Sequence, residues 1–363
     1  MKATVSNAPP PGINAVIRAD IDAVIKSLKD LRKLSGMTLL VTGANGFLCS
    51  YFVDTIAALN DQGIQPPCQV VAVDNLQVGS LNRLAHLAGR ADVQLLQHSV
   101  TQPLHLEKVD WIIHGASIAS PMFYRRYPLE TIDANVSGTR LMLELAQQKH
   151  TRSILYLSTS EIYGDPDPAF IPTAEDYRGN VSCTGPRACY DESKRLAETL
   201  CATFYRLDQL PVKVIRPFNV YGPGQRLDDG RIIPDLMRSA VNRQPIVLYS
   251  DGRATRAFCY ISDAIRAMWA VLLSNADGEV FNVGNDQEEI SMYALAEKFR
   301  KIAGAPWLEI VKKISADANF VADNPQRRCP NLIKLRSQFN WEPEISLAEG
   351  LERTLHSYSD EIS

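Results

Sequence analysis

Seven cysteines in 363 residues include no Cys-x-x-Cys pair, and the six histidines do not cluster with them, so the ligand spacing of a structural zinc site is missing. Cys49, Cys68, Cys183, Cys189, Cys201, Cys259 and Cys329 form an odd, scattered set that fits a reducing compartment better than a disulfide framework. Apolar runs are short: none reaches the roughly 18 residues of a membrane span, and the N-terminus has no signal-peptide core. A soluble, cytoplasmic protein without a membrane partner is expected. A net charge of only -3 gives no electrostatic case for nucleic acid.

The chain has length and apolar content. With 45% hydrophobic residues it can bury a substantial core, in one large domain or two interlocked ones. Through the first two thirds, apolar strands alternate with helical patterns, which predicts an α/β fold with a Rossmann-type, doubly wound parallel sheet. Strands are expected at 38–43, 69–74, 93–98, 111–115, 154–158 and 212–216. Beyond residue 222, loops rich in Gly, Asp and Arg lead to helices near 230–243, 262–274 and 291–303, read as a smaller C-terminal substrate-binding lobe. Residues 1–36 form an extension. Its first 13 residues contain proline and are expected to be mobile, while Ile21, Val24, Ile25, Leu28, Leu31 and Leu34 recur at helical spacing, a stripe to pack on the domain or on a partner subunit.

Thr38-Leu-Leu-Val-Thr-Gly43 reads as a strand, Gly43 to Gly46 as a tight turn, and Phe47 onward as a helix. Glycine lets the backbone approach a pyrophosphate, and the helix start directs amides at it. Asp74 closes the second strand, where a carboxylate accepts hydrogen bonds from an adenosine ribose and repels a 2'-phosphate. NAD is therefore expected over NADP, in a domain spanning 37–222 with further segments from about 255–285, and 223–363 supplies most of the lobe. Cys49 stands where many such loops carry a third glycine, a change that bears on helix-to-sheet packing.

Downstream, Tyr190 and Lys194 lie four residues apart and share a helix face, so the ammonium can favour the phenolate. A free phenol titrates near ~10, so a tyrosine base near neutral pH needs such help. Thr159, Ser160 and Glu161 follow the fifth strand. By themselves Ser160 and Glu161 also suit a helix cap or a loop.

Taken together, Gly43-x-x-Gly46-Phe47, Asp74-Asn75, Ala119-Ser120-Pro121, the run Ser158 to Asp165, the run Gly185 to Lys194, Arg216-Pro-Phe-Asn219, Asp229-Gly-Arg231 and Thr255-Arg-Ala-Phe258 carry a family resemblance. Residues 38 to about 355 resemble the extended short-chain dehydrogenase/reductases that act on nucleotide sugars, with the UDP-glucuronate decarboxylases, or UDP-xylose synthases, as the nearest match. The Gly185–Lys194 run and the Thr-Arg-Ala-Phe run are the more particular to those decarboxylases.

The resemblance implies NAD contacts from Gly43, Asn45, Gly46, Phe47, Leu48, Asp74, Asn75, Tyr190 and Lys194. It implies catalysis by Thr159, Ser160, Glu161, Tyr190, Lys194 and Arg328, and substrate contacts from Ser120, Tyr124, Asn219, Arg231, Arg256 and Arg328. Related 4,6-dehydratases carry an acid at the position of Ser160, and simple 4-epimerases usually lack Glu161. The Thr-Ser-Glu triplet therefore favours decarboxylation of a nucleotide-linked uronic acid, most simply UDP-glucuronate to UDP-xylose through a 4-keto sugar. Departures from those decarboxylases stand at Ile118, Arg178, Ser182, Cys183, Cys329 and Asn331, most of them in segments expected to face the substrate. They keep open a 4-epimerase or another non-decarboxylating nucleotide-sugar enzyme, with a non-catalytic NAD-binding scaffold as the remote alternative. Relatives dimerise through the helix that carries Tyr190, and Leu196, Leu200, Thr203 and Phe204 offer apolar positions for a homodimer.

Overall fold

The computed structural model describes residues 13–78, 81–313 and 325–359. In chain order, helix α1 (Ala15–Ser27) precedes strand β1 (Thr38–Thr42), followed by α2 (Phe47–Asp61), β2 (Gln69–Asp74), β3 (Val93–Gln97) and β4 (Trp111–His114). Next come α3 (Pro121–Arg126), α4 (Pro128–Asp133), α5 (Thr139–Gln148), β5 (Ser153–Leu157), α6 (Ala188–Asp208) and β6 (Val212–Pro217). The second half contains β7 (Val220–Tyr221), α7 (Ile232–Val241), β8 (Ile246–Leu248), β9 (Thr255–Ala257), β10 (Cys259–Tyr260), α8 (Ile261–Leu272) and β11 (Val280–Val283). It closes with β12 (Glu289–Ser291), α9 (Met292–Ile302), β13 (Ile310–Lys312), β14 (Arg327–Arg328), α10 (Ile333–Phe339) and α11 (Leu347–Ser359).

Seven strands form one parallel sheet in the order β11-β6-β5-β4-β1-β2-β3. Side chains alternate along each strand, so β1 sends Leu39 and Val41 into one core and Leu40 into the other. The first core lies under α2 and α8, where Trp269 meets Phe52 edge-on at 5.1 Å. The second lies under α5 and α6, with Met142, Leu143, Ala197 and Cys201 against Ile112 and Ile154. Burial of both faces explains why these strands are continuously apolar. A smaller lobe is built on the pair β8–β13, the three strands β12-β9-β14, and helices α7 and α9.

The N-terminal stripe differs from the single helix its spacing suggests. The α-helix ends at Ser27, Leu28 turns extended (φ -120°, ψ 92°), and Lys29–Leu34 continue as a 3-10 helix. The tighter turn eclipses residues three apart, which keeps Leu31 and Leu34 both buried. The stripe packs on α2, α8 and α11 of its own chain. Asp20 anchors it, accepting from Tyr260 Oη at 2.8 Å and pairing with Arg353 at 3.2 Å. The expectation for residues 1–13 falls, apart from Ile13, outside the described residues.

Beside β1 the sheet order reverses: β2 and β3 lie on one side, β4 and β5 on the other. At such a switch point the loops after neighbouring strands diverge and leave a crevice beyond the strand ends. One cleft of ≈ 1360 Å³ opens there, lined by the loops after β1, β2, β4 and β5, the start of α6 and the lobe. It exceeds the ~300–1,000 Å³ of a typical small-molecule pocket and has room for a dinucleotide with a second ligand.

Candidate active site

At one end of the cleft, Gly43 takes a left-handed turn (φ +68°), and a Cβ there would lie 2.8 Å from Cα of Ala116. Only glycine fits this close approach between the loops after β1 and β4. Gly46 caps α2, so the amides of its first turn, around Phe47 and Leu48, face the same space. Asp74 ends β2 and accepts from the backbone amides of Asn45 at 3.1 Å and Leu76 at 2.9 Å. A carboxylate has about four acceptor positions, so capacity remains for a ribose. Asn75 lines the same wall. These residues fit a dinucleotide: a side-chain-free turn, a helix start and an acid beyond the second strand. Cys49 has a packing role, since its sulfur occupies the space that a Cβ on Gly115 would need.

At the other end, Thr159 follows β5 and accepts from the Glu161 amide at 3.2 Å, capping the short helix Ser160–Tyr163. The capping role allowed for this triplet is therefore real, and Glu161 is placed by it. Tyr190, in the first turn of α6, is 5% exposed and hydrogen-bonded to Thr159. Its ring stacks parallel to that of Tyr124, 5.0 Å between centroids and 8° between planes. Burial pushes the Tyr190 phenol up to about 12, although the Arg231 charge and the Thr159 bond pull it down. Lys194 Nζ lies 5.9 Å from the Tyr190 ring centroid and donates to the Leu157 carbonyl at 2.8 Å. Burial lowers its ammonium to about 8.

Glu161 holds the centre of an ion cluster. Arg328 on β14, 167 residues away in sequence, binds it with both terminal nitrogens, at 2.5 Å to Oε1 and 2.6 Å to Oε2. Arg187, the residue before α6, donates to the same Oε2 and lies 3.5 Å from Asp191. Burial opposes ionisation of Glu161, but the Arg187 and Arg328 guanidiniums outweigh it and hold the carboxyl far below its usual range. Asp191 is lifted to about 7 by burial and by the Glu161 charge.

The remaining expected contacts line the cleft as well. Arg256 is buried and donates to the carbonyls of Thr255 and Pro325 at 2.8 and 2.7 Å. Burial, then the Arg328 charge, lowers it to about 9. Arg231 donates to the Ala119 carbonyl at 2.8 Å and pairs with Asp229 at 3.2 Å. Ser120 Oγ donates to the Asp229 carbonyl at 2.9 Å, and Asn219, in a left-handed conformation (φ 40°), donates to the Ala257 carbonyl at 3.0 Å. The Tyr124 hydroxyl is buried and makes no hydrogen bond among the described residues.

Two findings correct the sequence reading. Arg187 and Asp191 join the site as well: they flank Tyr190 in the same run, four residues apart on one helix face, and that spacing is the signal the sequence offers. Of the six departures, only Ile118 lines the cleft; Arg178, Ser182, Cys183, Cys329 and Asn331 do not. Cys329 and Asn331 instead hold the backbone of Thr173 through carbonyl and amide at 2.9 Å each. Most of the departures therefore sit away from the substrate space. His114 is a structural group: it lies between Thr42 Oγ1 at 2.7 Å and Thr139 Oγ1 at 3.1 Å, and burial lowers its imidazole to about 3.

Residues 39–284 match the model of the NAD dependent epimerase/dehydratase family. The chain is 38% identical over 329 residues to UDP-glucuronic acid decarboxylase 1 of Arabidopsis thaliana, covering 90% of this chain and 71% of that protein. It is 36% identical over 338 residues to UDP-glucuronic acid decarboxylase 1 of Xenopus tropicalis, covering 92% of this chain and 75% of the relative. Its fold is that of the dTDP-glucose 4,6-dehydratase of Streptomyces venezuelae, solved with NAD and TYD bound. There the TM-score is 0.78 at 25% identity, over 89% of this chain and 97% of the other.

Proposed function

The chain belongs to the NAD dependent epimerase/dehydratase family, and from that premise we propose that it decarboxylates UDP-glucuronate to UDP-xylose. It is an NAD-dependent enzyme that modifies nucleotide sugars, so the open matters are the sugar and the outcome. The observation that carries the proposal is Arg328, buried beside Glu161 in the cleft that Tyr190 also lines. A neutral sugar offers a guanidinium only hydroxyl acceptors, whereas a uronic acid brings a carboxylate and a charge-assisted, bidentate contact. Decarboxylase relatives at 36–38% identity support the same reading.

NAD would be held by Gly43, Asn45, Gly46, Phe47, Leu48, Asp74 and Asn75, and it supplies a hydride acceptor that oxidises C4 of the sugar and returns the hydride at the end. Tyr190 Oη takes the C4 hydroxyl proton, oriented by Thr159 and favoured electrostatically by the Lys194 charge. The C5–C6 bond then breaks, carbon dioxide leaves, its electron pair passes into the C4 carbonyl, and C5 takes up a proton from water, relayed by the Ser160 hydroxyl. Glu161, held ionised by two arginines, is no proton donor; it orients Arg328, while Ser160 offers a hydroxyl beside it. Ser120, Tyr124, Asn219, Arg231 and Arg256 would hold the sugar and diphosphate, for which bidentate guanidinium contact is suited. We also propose a homodimer through α6 and its neighbour α4, where Leu196, Leu207, Leu129 and Ile132 are exposed.

The test is incubation with NAD+ and UDP-glucuronate, following carbon dioxide and the sugar product by mass spectrometry. Carbon dioxide with a UDP-pentose is the expected result. An unchanged mass with an altered sugar makes the enzyme an epimerase, and no reaction moves the search to other nucleotide sugars.

A further inference from the structure

The inference rests on the reading above, that the substrate carries a carboxylate. In the ligand-free protein Arg328 is already engaged: both terminal nitrogens bind Glu161. Its buried Nε has no hydrogen-bond partner among the described residues. A substrate carboxylate that takes the same two terminal nitrogens reaches Arg328 by exchange with Glu161. If Arg328 were the sole partner of Glu161, that exchange would strand a carboxylate in a largely buried position, which is strongly unfavourable.

Arg187 removes that difficulty. It donates to Glu161 Oε2 from the start of α6, a different element from β14, and it is braced by Asp191 one turn along. Its guanidinium carbon lies 6.0 Å from the Tyr124 ring centre, and Tyr124 stacks on Tyr190. We propose that Arg187 is a positioning residue that retains Glu161 when the substrate carboxylate takes Arg328, so that the site exchanges carboxylates on one guanidinium without leaving either unpaired. Crowding of cations assists the arrival of the second anion, because Arg187, Arg256 and Arg328 all act on the Glu161 charge. The same residue ties the carboxylate exchange to the tyrosine pair at which the C4 proton moves.

The experiment uses NAD-loaded protein: wild type, Arg187→Met, Arg187→Lys and Glu161→Gln. Calorimetry gives the affinities for UDP-glucuronate and for UDP-glucose, which lacks the carboxylate, and kinetics give kcat/KM against pH. Loss of one charge-assisted contact predicts about tenfold weaker UDP-glucuronate binding in Arg187→Met, with UDP-glucose changed by less than about twofold, and partial recovery in Arg187→Lys. Glu161 and Asp191 both lose a neighbouring cation, so the acid limb of kcat/KM should move to higher pH. The other groups facing them, Arg328, Arg256, Arg231, Tyr124 and Tyr190, are unchanged in that variant. Glu161→Gln removes the competitor for Arg328 and should increase the preference for UDP-glucuronate over UDP-glucose, even as turnover falls.

Equal weakening of both ligands with an unmoved acid limb would overturn the proposal, and so would a reduced uronate preference in Glu161→Gln. The latter variant and Arg187→Lys carry the test if Arg187→Met does not fold. Wild-type protein separates the two levels. Absence of carbon dioxide release and of any uronate preference sinks the decarboxylase reading and this inference together. A competent wild type whose Arg187 variants keep the preference sinks the inference alone.

Discussion

The proton-transfer end and the carboxylate end of the cleft meet on the loop after β5, yet burial acts on them with opposite results. At Tyr190 and Lys194 burial prevails, raising the phenol to about 12 and lowering the ammonium to about 8, so both are pushed toward their neutral forms. Two residues from Thr159, Glu161 is mostly shielded from water too, but Arg187 and Arg328 converge on it and keep it charged. The lesson concerns counter-charge. The tyrosine that must give and take a proton is left without a bonded ion partner, and the carboxylate that must stay charged is given two. Asp20 falls between: Tyr260 and a single, partly exposed Arg353 pair with it, burial wins, and its carboxyl rises to about 6.

The largest break falls on the proton-transfer end. Tyr190→Phe removes the base and should cost about 10³-fold in kcat. Calorimetric affinity for UDP-glucuronate should stay within about threefold, because the carboxylate end is intact; equal loss of binding would contradict the division. Arg328→Met breaks the other end, leaving Glu161 with Arg187. A buried charge pair losing one member predicts about 100-fold lower kcat/KM on UDP-glucuronate, with NAD affinity unaltered in a fluorescence titration.

Asp20 sharpens the comparison through stability. Its folded value lies above the unfolded one, so its contribution is fully present below the unfolded value near ~3.9 and is lost as pH rises through about 6. Allowing for water around Arg353, that loss is about 2 kcal/mol. Urea denaturation from pH 4 to 7 should show a correspondingly flatter profile for Asp20→Asn than for wild type. The smallest effect is a slope. Lys194 loses its proton as pH passes about 8, so kcat/KM should fall about tenfold per unit above that point, whereas Glu161 stays ionised across the same interval. A flat basic limb would mean that the Lys194 charge does not assist Tyr190.

Much of the fold was legible because its signals are local. The six strands expected in the first two thirds agree with β1 to β6 within one residue at each end, α7 and α9 fall within their expected windows, and α8 starts one residue before its own. Apolar runs bounded by turns are enough to mark them. The stripe from Ile21 to Leu34 was legible as buried, but its change from α to 3-10 was not, because the three-residue spacing of Leu28, Leu31 and Leu34 occurs in both. Among site residues, Gly43, Asp74 and the Tyr190–Lys194 pair follow from spacing along one element. Arg328 was placed near the sugar by resemblance, but its partner was not read, since β14 reaches the cleft only after β9 aligns it. The departures at Arg178, Ser182, Cys183, Cys329 and Asn331 were misread for the same reason: position along the chain does not say which way a loop faces.

By itself the sequence determined the alternation of strands and helices, the glycine turn after the first strand and the four-residue offset of tyrosine and lysine, because each depends on neighbours within a few residues. Only the tertiary structure decided which groups share a buried volume. It brought Arg187 and Arg328 together on Glu161, stacked Tyr124 on Tyr190 and tied α1 down through Asp20. Charge states in the cleft follow from those meetings, since the interaction of buried charges depends on separation in space and on excluded water, and neither is written in the order of residues.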